Sequence, residues 1–133
     1  MKITEKERDC LFAAVGLSSD FPSRLNQIAK ELNIKPSTAL SLLKRMEVKG
    51  LVKEAKGNVI LTDYGRKSYK GIMLAHRSLE TLFCRMGIPV SYACGEAKKI
   101  DYLIGPTYAR KLWNFLGKPK NCPHGKPVIV GIA

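Results

Sequence analysis

Leu25-Asn26-Gln27-Ile28-Ala29-Lys30-Glu31-Leu32-Asn33-Ile34 runs straight into Lys35-Pro36-Ser37-Thr38-Ala39-Leu40-Ser41-Leu42-Leu43-Lys44-Arg45-Met46, and then into Glu47-Val48-Lys49-Gly50-Leu51-Val52. Leu25, Ile28, Ala29 and Leu32 recur at the spacing of one helical face. Pro36 suits the first turn of a second helix, where its missing N–H removes no hydrogen bond. Ala39, Leu42, Leu43 and Met46 mark the apolar face of that helix, and Gly50 can end it in the left-handed conformation. The opposite face carries Ser37, Thr38, Ser41, Lys44 and Arg45, hydroxyls near the start and cations further along. Such a face fits a DNA major groove, with hydroxyls reaching bases or phosphates and cations pairing phosphates. Two short helices joined by a tight turn, the second basic on its free face, read as a helix-turn-helix.

The next residues extend the pattern. Leu51–Ala55 and Asn58–Thr62 are strand-like runs joined by Lys56-Gly57, a hairpin signal. A hairpin directly after a recognition helix is a wing, and Lys53 and Lys56 would bring charge to the flanking DNA backbone. A solvated amphipathic helix and an ordinary hairpin explain each piece taken singly. The ordered combination favours binding to double-stranded DNA.

Composition agrees. The 133 residues carry a net charge of +12, which favours a polyanionic partner. Met1–Gly71 holds 14 Lys/Arg against 8 acids, and Ile72–Ala133 holds 9 against 3, the three being Glu80, Glu96 and Asp101. The N-terminal residues are charged where a signal peptide needs an apolar core, and no run approaches the roughly 18 apolar residues of a membrane span. The expectation is a cytoplasmic protein without a membrane partner. Four cysteines in such a chain point to reduced thiols, or to metal or cluster ligands, rather than disulfides.

Thr4 and Glu7 have the spacing of a capping box for a first helix, with Leu11, Ala14, Val15 and Leu17 on its buried face. Gly16 to Ser23 reads as a loop. After the wing, Thr62-Asp63 can cap a long helix to about Met86, with Ile72, Ala75, Leu79, Leu82, Phe83 and Met86 as its stripe. A shorter helix is expected from Val90 to about Ile104, and a last one from Pro106 through Leu116, buried by Tyr108, Leu112, Trp113 and Leu116. The tail from Gly117 should be irregular apart from Val128-Ile129-Val130. The fold class is mainly α with a small β-hairpin: a winged helix-turn-helix over 1–71 and a helical dimerisation and effector-sensing domain over 72–133. The surplus apolar surface of Leu79, Leu82, Met86, Leu112, Trp113 and Leu116 suggests a homodimer, two recognition helices then meeting a pseudo-palindrome.

His76, Glu80 and Cys84 lie at i, i+4 and i+8 along the edge of the long helix's apolar stripe, and Cys94, Lys98 and Asp101 fall on one side of the next helix. Packing these helices would gather imidazole, carboxylate and thiol donors suited to a transition metal. A surface His76–Glu80 hydrogen bond and small buried hydrophobes at Cys84 and Cys94 are the plain alternative.

Leu61-Thr62-Asp63-Tyr64-Gly65-Arg66-Lys67, Ala75-His76-Arg77-Ser78-Leu79-Glu80-Thr81-Leu82-Phe83, Cys94-Gly95-Glu96-Ala97 and Cys122-Pro123-His124-Gly125-Lys126-Pro127 resemble the diphtheria toxin repressor family of metal-dependent repressors. The resemblance covers nearly the whole chain and implies a winged-helix DNA-binding domain and a helical dimerisation domain, without the SH3-like domain of longer members. It implies His76 and Glu80 as ligands, with Cys94 where many members have a histidine. For the family's other site only Asp101 keeps ligand chemistry, since Lys98 and Tyr102 stand at ligand positions, and the first-helix ligand would be Asp9 or Cys10. Cysteine at Cys84, Cys94 and Cys122 favours a thiophilic effector, iron above all, or an iron–sulfur cluster. A thiol redox sensor on the same fold, using Cys84, Cys94 or Cys10, and a winged-helix interaction module that does not bind DNA are the competing readings. No nucleophile–base spacing or phosphate loop suggests an enzyme.

Overall fold

The computed structural model describes residues 2–17 and 23–129. In chain order it contains α1 (Glu5–Leu17), β1 (Ser23–Arg24), α2 (Leu25–Glu31), α3 (Pro36–Val48), β2 (Val52–Ala55), β3 (Asn58–Leu61), α4 (Asp63–Arg85), α5 (Val90–Lys98), a 3-10 turn (Asp101–Leu103) and α6 (Pro106–Phe115). Two compact units divide the chain, Met1–Tyr69 and Lys70–Ala133, so the boundary falls within α4.

In the first unit, α2 and α3 form the helix-turn-helix. Pro36 opens α3, and Gly50, at φ 77°, follows its C-cap Lys49. Ala39, Leu42, Leu43 and Met46 are buried, as their spacing requires, with Leu11, Ile28, Leu51 and Val59 completing the core. Each fully buried Leu, Ile, Val or Met side chain among them contributes about 1.5–3 kcal/mol. β2 and β3 form the expected hairpin, Val52 opposite Leu61 and Ala55 opposite Asn58. Sequence reading missed β1, which pairs antiparallel with β3 through Ser23–Val59 and Arg24–Asn58, making a three-stranded sheet of order β1-β3-β2. Two residues are too few to show alternation. Thr62 caps α4, its Oγ1 accepting the Gly65 N–H at 3.0 Å. A Cβ at Gly65 would stand 2.0 Å from the Leu51 carbonyl oxygen, so only glycine lets the helix start this close to the wing.

The capping box forms at α1. Thr4 N–H donates to Glu7 Oε1 at 2.8 Å and Glu7 N–H donates to Thr4 Oγ1 at 3.2 Å. Of the expected buried face, Leu11 and Ala14 are buried while Val15 and Leu17 are half-buried; Cys10 and Ala13 take up the burial instead. The turn residues Ser18, Ser19, Asp20 and Pro22 lie outside the described residues, and Ser23 belongs to β1 rather than to a loop. Glu7 is fully buried, and Lys49, just past α3, donates to its Oε1 at 2.6 Å and to the Lys2 carbonyl at 2.8 Å.

The second unit departs further from expectation. α4 ends at Arg85, and Leu82 and Phe83 are only half-buried while Met86 is exposed. α5 stops at Lys98 rather than reaching Ile104, and Asp101 sits in the 3-10 turn that follows. On α6 the buried residue is Ala109; Tyr108, expected inside, is 71% exposed. Val128 and Ile129 form no strand, and Val130 lies outside the described residues. The tail instead closes a small loop, bridged from Asn121 to Pro127. The core consists of Leu74, Ala75, Ala109, Cys122 and Val128, with Ile104 and Trp113 packed against it. Leu79 and Leu116 are thus used inside the unit, and the surplus apolar surface is carried by Met86, Tyr92, Leu103, Tyr108 and Phe115.

Glu7 also sets an acid dependence. Burial raises the pKa of its carboxyl, but the Lys49 ammonium and the bonds from Thr4 outweigh it and hold the group below its ordinary 4.5. The stabilisation is therefore complete above about pH 4.5 and is lost as pH falls through the lower folded-state value. Urea midpoints followed by circular dichroism should drop from about pH 5 to about pH 3, and Glu7→Gln should flatten that slope. An unchanged slope in Glu7→Gln would assign the acid dependence to another carboxylate.

Candidate metal centre and nucleic-acid interface

Ser37, Thr38, Ser41, Lys44 and Arg45 are all exposed on α3, opposite its buried face, and Lys53 and Lys56 are exposed on the wing. Ser41 Oγ donates to the Ser37 carbonyl at 3.2 Å, which keeps that turn regular. Arg45 has its Nε 3.9 Å from Glu7 Oε2, so a buried carboxylate faces one cation of this surface.

The second unit gathers its donors around Glu80. His76 and Glu80, one turn apart on α4, meet through Nε2 and Oε1 at 2.7 Å. Cys94 reaches in from α5, with Sγ 3.4 Å from the same Nε2. On the far side of the ring, His76 Nδ1 lies 2.8 Å from Asp101 Oδ2. A ring N–H donating to a carboxylate leaves the other nitrogen to face the ligand side, as in many histidine metal sites. The other Glu80 oxygen, Oε2, accepts from His124 Nδ1 at 2.6 Å. His124 and Cys122 sit on a tight turn in which Gly125 N–H donates to the Cys122 carbonyl and Cys122 N–H to that of Lys126, each at 2.8 Å. Arg77 holds the turn by donating to the Pro127 carbonyl, and Arg85 donates to that of Leu116 at 2.9 Å.

Two groups able to hold an ion result: His76, Glu80 and Cys94, and Glu80, Cys122 and His124. Within each, the ligand atoms lie within 4.8 Å of one another. Bonds of about 2.0–2.3 Å around a four-coordinate ion put ligand atoms roughly 3.3–3.8 Å apart, a span small side-chain rotations reach from here. The donors fit a transition-metal ion in chemistry as well: imidazole, thiol and carboxylate together. The 2.7 Å contact between Nε2 and Oε1 needs one proton between the two atoms, and a cation would take that proton's place.

His76, Glu80, Cys94 and Cys122 are thus brought together. Asp101 is fully buried and supports His76 from behind instead of facing either group. Cys84 is half-buried on α4 and belongs to neither group among the described residues. Cys10 lies in the first unit, its thiol pushed up to about 12 by burial and by the charges of Glu7 and Asp9. Without a metal that setting favours the neutral thiol, and Cys10 belongs to neither group among the described residues. Asp9, the alternative first-helix ligand, pairs with Arg8 at 3.2 Å. Lys98 is exposed, and Glu96 pairs with Lys99 at 2.9 Å. His124 was missed; its place two residues after a cysteine in a Pro/Gly turn was the available signal.

A winged helix-turn-helix followed by a helical unit that assembles such donors defines a DNA-binding-type fold joined to a transition-metal-type site. The chain belongs to the iron-dependent repressor family, that of the diphtheria toxin repressor: residues 62–129 match its "metal binding and dimerisation domain". It is 32% identical over 115 residues to an uncharacterised helix-turn-helix transcriptional regulator of Aeropyrum pernix, covering 86% of this chain and 64% of that protein. The chain therefore spans just under two thirds of that relative's length. A hypothetical protein of Sulfolobus solfataricus superposes with a TM-score of 0.84 at 36% identity, over 96% of this chain and 99% of that one. A manganese-dependent transcriptional repressor solved with manganese superposes with a TM-score of 0.73 at 26% identity, over 93% of this chain and 57% of that one. The family is one of transcriptional regulators, and no helix among the described residues is long and apolar enough to cross a membrane.

The cysteines should separate by reactivity. With a thiol pKa of about 12, Cys10 has a thiolate fraction about a thousandfold below that of an ordinary cysteine at pH 8. In metal-free protein a disulfide-exchange probe followed by peptide mass analysis should label exposed Cys94 first and Cys10 only after denaturation. Early labelling of Cys10 would contradict its buried setting.

Proposed function

We propose that the chain is a DNA-binding transcriptional repressor that acts as a homodimer on a pseudo-palindromic operator, under the control of a transition-metal ion held by its second unit. The observation that carries this reading is the convergence of His76 Nε2, Glu80 Oε1 and Cys94 Sγ, with Asp101 behind the ring, inside the region matched to a metal-binding and dimerisation domain. Imidazole and thiolate donors favour iron(II), zinc or cobalt over manganese or magnesium, which prefer oxygen-rich sites. Iron is the metal in the family's description, and this donor set accepts it. Clusters of the common kinds take four thiolates. The two donor groups offer Cys94 and Cys122, which supports an ion over a cluster. Bound there, the ion would supply positive charge beside the buried Glu80 carboxylate.

The exposed side chains of Met86, Tyr92, Leu103, Tyr108 and Phe115 support self-association of the second unit. In a two-fold dimer, the polar and basic faces of two α3 helices would read inverted half-sites about 34 Å apart. Control needs only that the ion bind one arrangement of the dimer better than the other. One feature favours the redox reading as a variant of this mechanism: Cys94 is exposed, so its oxidation would remove a donor from the same site.

Sedimentation at micromolar concentration should give twice the 14.8 kDa chain mass. Lys44→Ala or Lys56→Ala should weaken binding to all duplexes and reduce the log–log salt slope by about 1 for each lost phosphate contact. Ser37 or Ser41 variants should shift sequence preference more than overall affinity. Cys94→Ser should abolish the metal-dependent part of binding while Lys98→Ala spares it. A monomer, or DNA binding indifferent to Lys44, Lys56 and Cys94, would overturn the proposal.

A further inference from the structure

The two donor groups have one residue in common, and it is used differently in each. Glu80 Oε1 faces His76 Nε2 at 2.7 Å, in the group completed by Cys94. Glu80 Oε2 faces His124 Nδ1 at 2.6 Å, in the group completed by Cys122. A single ion chelated by both carboxylate oxygens would have to draw both histidines to one point. The histidines instead approach separate oxygens, each with its own cysteine. Each half then offers one imidazole nitrogen, one sulfur and one carboxylate oxygen.

Resting on the metal-responsive reading above, we infer that Glu80 is a bridging ligand and that the second unit takes up two thiophilic dications side by side. Cys94 and His76 hold one; Cys122 and His124 hold the other. Carboxylate bridging is a common way to keep two ions about 3.5–4 Å apart. Charge supports it: two dications bring +4, and Glu80, two thiolates and Asp101 behind His76 supply −4. The halves are not equal. His76, Glu80 and Asp101 are all buried, whereas His124 is exposed on its turn. The His76 half therefore fills first, and the His124 half is the more exchangeable.

The probe is cobalt(II) alone, added to the metal-free 133-residue chain without oxygen. Thiolate-to-cobalt absorption should rise until two equivalents per chain are bound, in two steps. The paramagnetic resonance signal of the first equivalent should be quenched by the second through the shared carboxylate. Cys122→Ser, whose folding is checked by circular dichroism, should stop at one coupled-free equivalent. Glu80→Gln should lose the quenching. Because Cys122 lies in the core, the wild-type titration decides the matter even if that variant fails to fold. An end point at one equivalent would overturn the bridged pair and leave the metal-responsive reading standing. No uptake at all would overturn both. Two equivalents without quenching, unchanged in Glu80→Gln, would overturn the bridging role.

Discussion

A carboxylate buried away from water costs several kcal/mol unless its charge is met and its lone pairs are used. Glu80 is almost completely buried, and both of its oxygens are engaged by imidazole rings. Much of the second unit serves that requirement. α4 presents His76 one turn before Glu80, the 3-10 turn sets Asp101 behind the ring, and the tail turn brings His124 to the second oxygen. Arg77 fastens the tail and Arg85 the end of α6 by donating to main-chain carbonyls, so their contacts leave the Glu80 oxygens to the histidines. The donor geometry is thus held by protein contacts alone, and an ion would meet a site that is largely preorganised.

The first unit was legible because its signals are local. Pro36, the Ala39–Met46 spacing and Gly50 decide α3 within 15 residues, and the hairpin follows at once. His76 and Glu80 were legible for the same reason, being one helical turn apart. Cys84 shows where that reasoning fails. Each i+4 step drifts about 40° around a helix, so Cys84 lies about 80° around from His76, and it belongs to neither donor group among the described residues. The apolar residues of Val90–Ile104 at helical spacing put Asp101 on a longer helix, yet α5 ends at Lys98, and the 3-10 turn brings the carboxylate to His76. The contact between Glu80 and His124 spans 44 residues, and no periodicity in the sequence reports a pairing at that distance.

Charge is distributed with some economy. Of the three carboxylates in Ile72–Ala133, Glu80 and Asp101 are at the donor cluster and Glu96 pairs with Lys99 on the surface. Against 9 Lys/Arg in the same stretch, the cluster is the main concentration of negative charge. A cation arriving there meets a focused negative site on an otherwise basic unit, which favours small ions that can enter the cluster over cationic macromolecules.

The turn at Cys122–Gly125 has a consequence for the order in which the protein is made. Chains emerge from the ribosome N-terminal end first, and local elements can form before distant ones arrive. α4 and α5 can exist while the tail is still being synthesised, and at that stage Glu80 lacks His124 and the lining of Cys122. The nascent chain therefore carries its complete helix-turn-helix long before it carries a complete donor set. A fragment cut between the end of α6 and residue 122 keeps the surface formed by α3 and the wing and lacks Cys122 and His124, so limited cleavage of the tail would remove one donor group and leave the other.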